Sequence, residues 1–297
     1  MLPHLTICIC TCGRPALLDR LLRDIARQDS EGAFTFSVVV TDNDPSESTR
    51  KVVEACARDW TLKIVYSVEP ERNIAVARNT ALAHASGDFI VLIDDDEFPA
   101  SGWLLNLFRA CETHQVAGVL GPVKPRFEHE PPQWLLKGGF YQRPTHSTGF
   151  VMRWQECRTG NVLFRRNILE TSEPPFCRKF GMGGEDQDFF RRMMEHGHRF
   201  IWCDEAVVYE VIPPSRWSRR LMIHRALLRG WNTFRHPKQR LLNLLKSFIA
   251  VPIYALALPI LLLAGHHYFM KYLVKLADHV GRLLASVRLN PVTERRM

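Results

Sequence analysis

The run Phe89 to Ile93 is five apolar, mostly branched residues, and it passes without a break into Asp94, Asp95, Asp96 and Glu97. A run this short and this apolar suits a strand buried on both faces of a parallel sheet. Four adjacent acids at its mouth raise one another's pKa and resist common ionisation unless positive charge sits among them. A hard divalent cation, shared between carboxylate oxygens and a ligand's phosphates, is the simplest compensation. A merely solvated acidic loop is the plainer alternative. The strand before it weighs against that, because ligands of open α/β sheets gather at the carboxyl ends of strands.

The preceding chain supplies a frame for such a strand. Leu5 to Thr11 reads as a first strand, and Cys12-Gly13-Arg14-Pro15 as a turn into a helix with Leu17, Leu18, Leu21, Leu22 and Ile25 at helical spacing. Thr35 to Thr41 reads as a strand ending at Asp42-Asn43-Asp44-Pro45, Ser48 to Arg58 as a helix, Leu62 to Ser67 as a strand and Ile74 to Ala85 as an Ala-rich helix. Four strand-helix units on short connections predict a doubly wound, mostly parallel α/β sheet flanked by helices.

Beyond the acids, Trp103 to His114 reads as a helix and Ala117 to Val123 as a strand. Lys124 to Gln155 is irregular and carries Phe127, Trp134, Phe140, Tyr141 and Phe150, aromatics that either stack on sugar rings or pin the loop down. Gly160 to Arg165 reads as a strand. Gly181-Met182-Gly183-Gly184-Glu185-Asp186 then opens a helix to about His196. Spacing places Asp186 on the same stripe as Phe189, Phe190 and Met193, and Asp188 on the wet side with Arg191, Arg192 and Glu195. The helix dipole accounts for acids in a first turn, but not for one aimed along the core-facing side.

Together these motifs resemble a family 2 glycosyltransferase of the GT-A fold, in particular bacterial transferases of succinoglycan-type exopolysaccharide synthesis. The likeness rests on Ile-Asp-Asp-Asp-Glu and Gly-Gly-Glu-Asp-x-Asp at matching separation and covers Leu5 to about Val211. It implies an inverting transfer of a hexose from a nucleotide sugar, most often UDP-linked, to a glycan or polyprenyl-linked acceptor. Thr11 and Arg14 would line the nucleotide pocket, Asp42 would accept a hydrogen bond from the base, and Arg78 would face the base or diphosphate. In the Asp-x-Asp motif, Asp94 and Asp95 would approach the ribose and metal site, and Asp96 would hold Mg2+ or Mn2+. Asp186 would be the general base, with Glu185 the alternative that helical phase disfavours. Relatives often place a His late in the domain; here the stretch reads Val207-Val208-Tyr209-Glu210-Val211, and Glu210 is left without a role.

The formal charge of +8 belongs to the tail. From Ile212 onward 15 Lys and Arg face 2 Asp and Glu, leaving 24 against 29 before it. The charge balance sets off a basic helical membrane-association region, 212–297, from 1–211, which the resemblance implies is the GT-A transferase domain. Pro213 to Arg235 reads as a basic amphipathic helix. Ser247 to Met270 has the length and apolarity to cross a bilayer, and Tyr272 to Val287 reads as a surface helix. Basic residues flank both ends: Lys238, Arg240 and Lys246 before, Lys271, Lys275 and Arg282 after. A single crossing would strand one flank on the wrong side. A bent, re-entrant or interfacial segment on an anionic membrane, at the cytoplasmic face of the inner membrane, is preferred. Nucleic acid is not an expected partner. The eight cysteines lack metal spacing and read as buried thiols of a reducing compartment, and no secretory signal is expected at the start. A membrane-docked nucleotide-binding scaffold without turnover is the competing reading.

Overall fold

The structure, a computed structural model, describes residues 1–60, 62–170, 173–181, 183–235 and 240–289. The expected flanking residue Lys238 lies outside them. Two compact units form: one from Met1–Pro125, Arg143–Gly181 and Glu185–Val211, the other from Arg126–Gln142, Met182–Gly184 and the chain from Ile212 on.

The first half builds β1 (His4–Thr11), α1 (Pro15–Ala26), β2 (Thr35–Asp42), α2 (Arg50–Asp59), β3 (Ile64–Val68), α3 (Ile74–His84) and β4 (Phe89–Ile93). Then come β5 (Glu97–Pro99), α4 (Trp103–His114), β6 (Gly118–Leu120), β7 (Val123–Phe127), α5 (Gln133–Gly138), β8 (Asn161–Arg165), α6 (Glu185–Glu195), β9 (Phe200–Trp202) and β10 (Val208–Ile212). Seven strands make one sheet in the order β3-β2-β1-β4-β8-β6-β9; β5, β10 and β7 make a smaller one. In the larger sheet the ladders β1/β2, β1/β4, β2/β3 and β6/β9 are parallel and β8 runs against its neighbours β4 and β6; in the smaller one β10 runs against β5.

Strand alternation sorts the core into two layers. Leu5, Ile7 and Ile9 of β1 and Phe89, Val91 and Ile93 of β4 pack with the apolar faces of α1, α2 and α4. Cys8, Ile90 and Leu92 face the other way, with Ala81 and Leu82 of α3 and Phe189, Phe190 and Met193 of α6. Every strand of this centre is covered on both sides, which is why the wholly apolar Phe89–Ile93 run reads as it does. All eight cysteines are free thiols. Strand order reverses between β1 and β4, the kind of switch point at whose carboxyl ends open α/β sheets bind ligands.

The second unit is helical: α7 (Arg219–Arg235), α8 (Arg240–Ala264) and α9 (His266–Ser286). The uncharged stretch expected as one segment is instead a helix that stops at Gly265, and the next helix starts six residues earlier than expected. Gly265 sits at φ 147°, a conformation that breaks the helix and lets the chain reverse. The aromatics of the irregular segment pin it to other protein groups: Phe127 lies edge-on to Tyr141 and Trp217, and Trp134 to Phe140 and His266. Phe150 is stacked under His146 at 4.0 Å.

Candidate active site

The same alternation that builds the core distributes the acids. Past the end of β4, Asp95 meets Thr11 at the end of β1 and Arg14 just before α1. Thr11 Oγ1 donates to Asp95 Oδ2 at 2.8 Å, and Arg14 Nη1 reaches Asp95 Oδ1 at 2.8 Å and Asp96 Oδ2 at 3.3 Å. Asp94 points toward α3, where Arg78 Nη2 meets its Oδ1 at 3.3 Å. Asn73 sets that helix by capping it, accepting from the Ala75 and Val76 amides. Burial pushes the Asp95 carboxyl up to about 6, against the pull of Arg14.

Arg78 joins the two acidic motifs. Its guanidinium pairs with Asp94 on one side and with Glu185, the first residue of α6, on the other. Burial disfavours its charge, but Glu185 and Asp94 outweigh that and hold it protonated. Asp186 follows immediately. Its Oδ1 accepts the Gln187 amide at 2.7 Å, and its Oδ2 lies 3.8 Å from Arg158 Nε.

Here the expected helical phase needs correcting. Glu185, not Asp186, heads the buried stripe through Phe189 and Met193, and Asp188 is buried rather than wet. Asp188 is clamped by Arg191 at 2.9 Å and Arg192 at 3.0 Å, and Arg192 also donates to the Pro175 carbonyl, so a neighbouring loop covers that side. Asp186 keeps 18% of its side chain exposed against 6% for Glu185. Of the two, Asp186 is the more exposed.

Asp42 ends β2 fully buried. Its Oδ2 accepts from the Thr49 amide at 3.1 Å, the Thr49 hydroxyl and the Tyr66 hydroxyl at 3.0 Å. Its Oδ1 is buried and has no partner among the described residues. Such an acceptor is costly unless a ligand's N–H meets it.

Three further groups border these residues: Glu97 from the acidic run, Glu210, which the sequence left without a role, and Arg158, which carried no sequence signal. Glu97 is buried and its carboxyl is raised well above the usual range, first by burial and then by Asp94. A side chain at Gly160 would collide with it, the Cβ falling 2.5 Å from Glu97 Oε1. Glu210 stands opposite Glu97 in the β5/β10 ladder and is paired with Arg143 at 2.6 Å. Arg158 comes from the turn before β8. The Glu210–Arg143 and Asp186–Arg158 contacts do not follow from periodicity, since each joins segments far apart in the chain.

The family model described as Glycosyl transferase family 2 matches residues 6–172. Succinoglycan biosynthesis protein ExoM of Rhizobium meliloti (strain 1021) is 35% identical over 231 residues, covering 76% of this chain and 73% of that protein. The chain belongs to glycosyl transferase family 2. It is accordingly a glycosyltransferase that draws its sugar from a nucleotide-sugar donor. Solved structures agree on the fold of this family 2 member. The Pyrobaculum calidifontis mannosyltransferase PcManGT, in complex with GDP-Man and Mn2+, superposes with a TM-score of 0.66 at 21% identity, over 97% of this chain and 87% of that one. S. aureus TarS 1-349, in complex with UDP, gives 0.56 at 17%, over 96% and 90%. The family 2 chain thus has the α/β, GT-A architecture expected of it.

Proposed function

We propose that this protein is an inverting, metal-dependent hexosyltransferase using a UDP-sugar, acting on a glycan or polyprenyl-linked acceptor in exopolysaccharide synthesis at the cytoplasmic face of the inner membrane. One observation carries the reading: a single guanidinium, Arg78, touches both Asp94 and Glu185, so the acids after β4 and the start of α6 share one site. The name of the ExoM relative supports the polysaccharide assignment, and the basic apolar tail supports the membrane.

The donor set suits Mg2+ or Mn2+. Asp94 and Asp96 offer hard carboxylate oxygens, Asp95 being taken up by Thr11 and Arg14. Among the described residues no three His, Cys, Asp or Glu side chains converge on one centre. Such an incomplete protein shell matches ions bound by one or two carboxylates together with substrate phosphates. When bound, the ion supplies positive charge that offsets the charge growing on the departing nucleoside diphosphate.

The chain's own residues do the rest. Thr11 fixes Asp95, and Arg14, already beside Asp95 and Asp96, is placed to bind the diphosphate. Asp42 Oδ1 accepts the imide N–H of the base, a group that uracil presents. Asp186 takes the proton of the acceptor hydroxyl as its oxygen attacks the anomeric carbon opposite the leaving group, which inverts the configuration. Arg78 and Glu185 hold the two halves of the site in register.

A screen of sugar nucleotides, read by release of nucleoside diphosphate and by glycan product, tests the reading; no turnover with any donor would sink it. Asp42→Asn should leave the fold in place yet weaken UDP about tenfold to a hundredfold by calorimetry, the effect of losing a charge-assisted hydrogen bond. Unchanged affinity would remove Asp42 from the base pocket.

A further inference from the structure

α8 shows two unlike faces. Leu245, Phe248, Ile249, Ile253, Leu256 and Ile260 recur every three to four residues and are all exposed. The opposite face packs on α9: Ser247 Oγ lies 3.0 Å from His279 Nδ1, and the Tyr254 ring lies 5.5 Å from Tyr272 and 5.7 Å from His279. Ser247 meets the late part of α9 and Tyr254 the earlier part, so the two helices are antiparallel. α8 spans 25 residues, about 37 Å of helix, of which the stripe from Leu245 to Ile260 covers about 23 Å. Among the described residues it is the one helix long and apolar enough to cross a membrane.

Its neighbours weigh against a crossing. α9 carries Lys271, Lys275, Asp278 and Arg282, and it is locked to α7. A Cβ at Gly281 would fall 2.2 Å from the Leu227 carbonyl, and Arg229 pairs with Asp278 at 2.9 Å. Taking α8 through the bilayer would draw these charges in with α9, at about 2.5–3.5 kcal/mol each near the centre. Pro252 and Pro259 add a second argument. Lacking N–H groups, they leave the carbonyls of Phe248 and Ala255 without their helical donors. Both residues are exposed; at the bilayer centre those carbonyls would go unmet, whereas an in-plane helix stays shallow enough for headgroup-level water to reach them.

We infer that α8 is an in-plane anchor, its stripe lying along one leaflet of an anionic bilayer without crossing it. The inference rests on the membrane association proposed above. Charge selects lipid over a second copy of the chain as the occupant. Arg240 and Lys246 on α8 and Lys271 and Lys275 on α9 are exposed, and two such surfaces would repel each other while attracting phosphatidylglycerol.

The test uses the full chain and vesicles of phosphatidylcholine, with or without phosphatidylglycerol. A fluorescent non-natural residue replaces Leu245, Ile253 or Ile260 in turn, and lipids brominated near the headgroup or near the chain end report its depth. Expected are flotation favouring the anionic vesicles at least about tenfold and equal, shallow depths at all three positions. Ile253 near the bilayer centre with Leu245 and Ile260 shallow would overturn the in-plane placement while leaving membrane association standing. Equal binding to neutral vesicles would overturn the anionic preference. No flotation, with a dimer in solution that shields all three probes, would overturn both the anchor and the membrane reading, and the donor screen would be unaffected.

Discussion

Replacing Asp96 with Ala abolishes sugar transfer that depends on a divalent cation, and the protein remains folded. Asp96 lies 3.3 Å from Arg14, and Arg14 keeps its shorter contact to Asp95 when Asp96 is removed. The local structure therefore survives, and thermal unfolding should shift little. What goes is one of the two carboxylates proposed to hold the cation, and with it the charge balance at the diphosphate. Several kcal/mol of transition-state stabilisation attach to such an ion, so turnover should fall about a thousandfold or more. Two readings check this together: release of nucleoside diphosphate across a Mn2+ titration, and Mn2+ binding followed by electron paramagnetic resonance in the presence of UDP. Wild-type metal dependence in the Asp96→Ala protein would place the cation elsewhere.

The parts of this fold that were legible in the sequence are those fixed by neighbouring residues. β1, α1, β2, β4 and α4 follow from apolar alternation, helical spacing and a turn or proline at their ends, and each forms within a residue or two of its expected bounds. The place of the acids followed as well, because they had to lie where β4 stops. Strand direction was not legible: nothing in Asn161–Arg165 distinguishes the antiparallel β8 from a parallel strand, and its direction comes from the long excursion that precedes it. Asp188 was misplaced because spacing within one helix ignores what covers it, here the Pro175 loop and two arginines. Arg78 was placed in the site by resemblance, but its grip on Glu185, 107 positions away, is a tertiary fact. In the tail, composition joined Ser247 to Met270 into one apolar stretch, whereas a single glycine divides it.

Replacing Asp186 with Asn should lower turnover about a hundredfold to ten-thousandfold while leaving donor affinity near its wild-type value. Asn keeps the shape of Asp and still accepts the Gln187 amide through its Oδ1, so the first turn of α6 stays as it is. It cannot take a proton from the acceptor hydroxyl. Glu185→Gln is the necessary companion, because the two acids adjoin and both have been candidates for the base. Glu185 is the buried partner of Arg78, and halving such a pair leaves a buried guanidinium short of compensation, at about 3–5 kcal/mol. That variant should lose stability in denaturant titration and disturb Asp94 through Arg78, whereas Asp186→Asn should lose only rate. Single-turnover kinetics with saturating donor separates the two: a slow chemical step with normal UDP binding marks the base, and a lowered unfolding midpoint marks the strut. If Asp186→Asn turned over at the wild-type rate, proton removal would have to fall to another group, and the exposure of Asp186 beside Arg158 would need a different explanation.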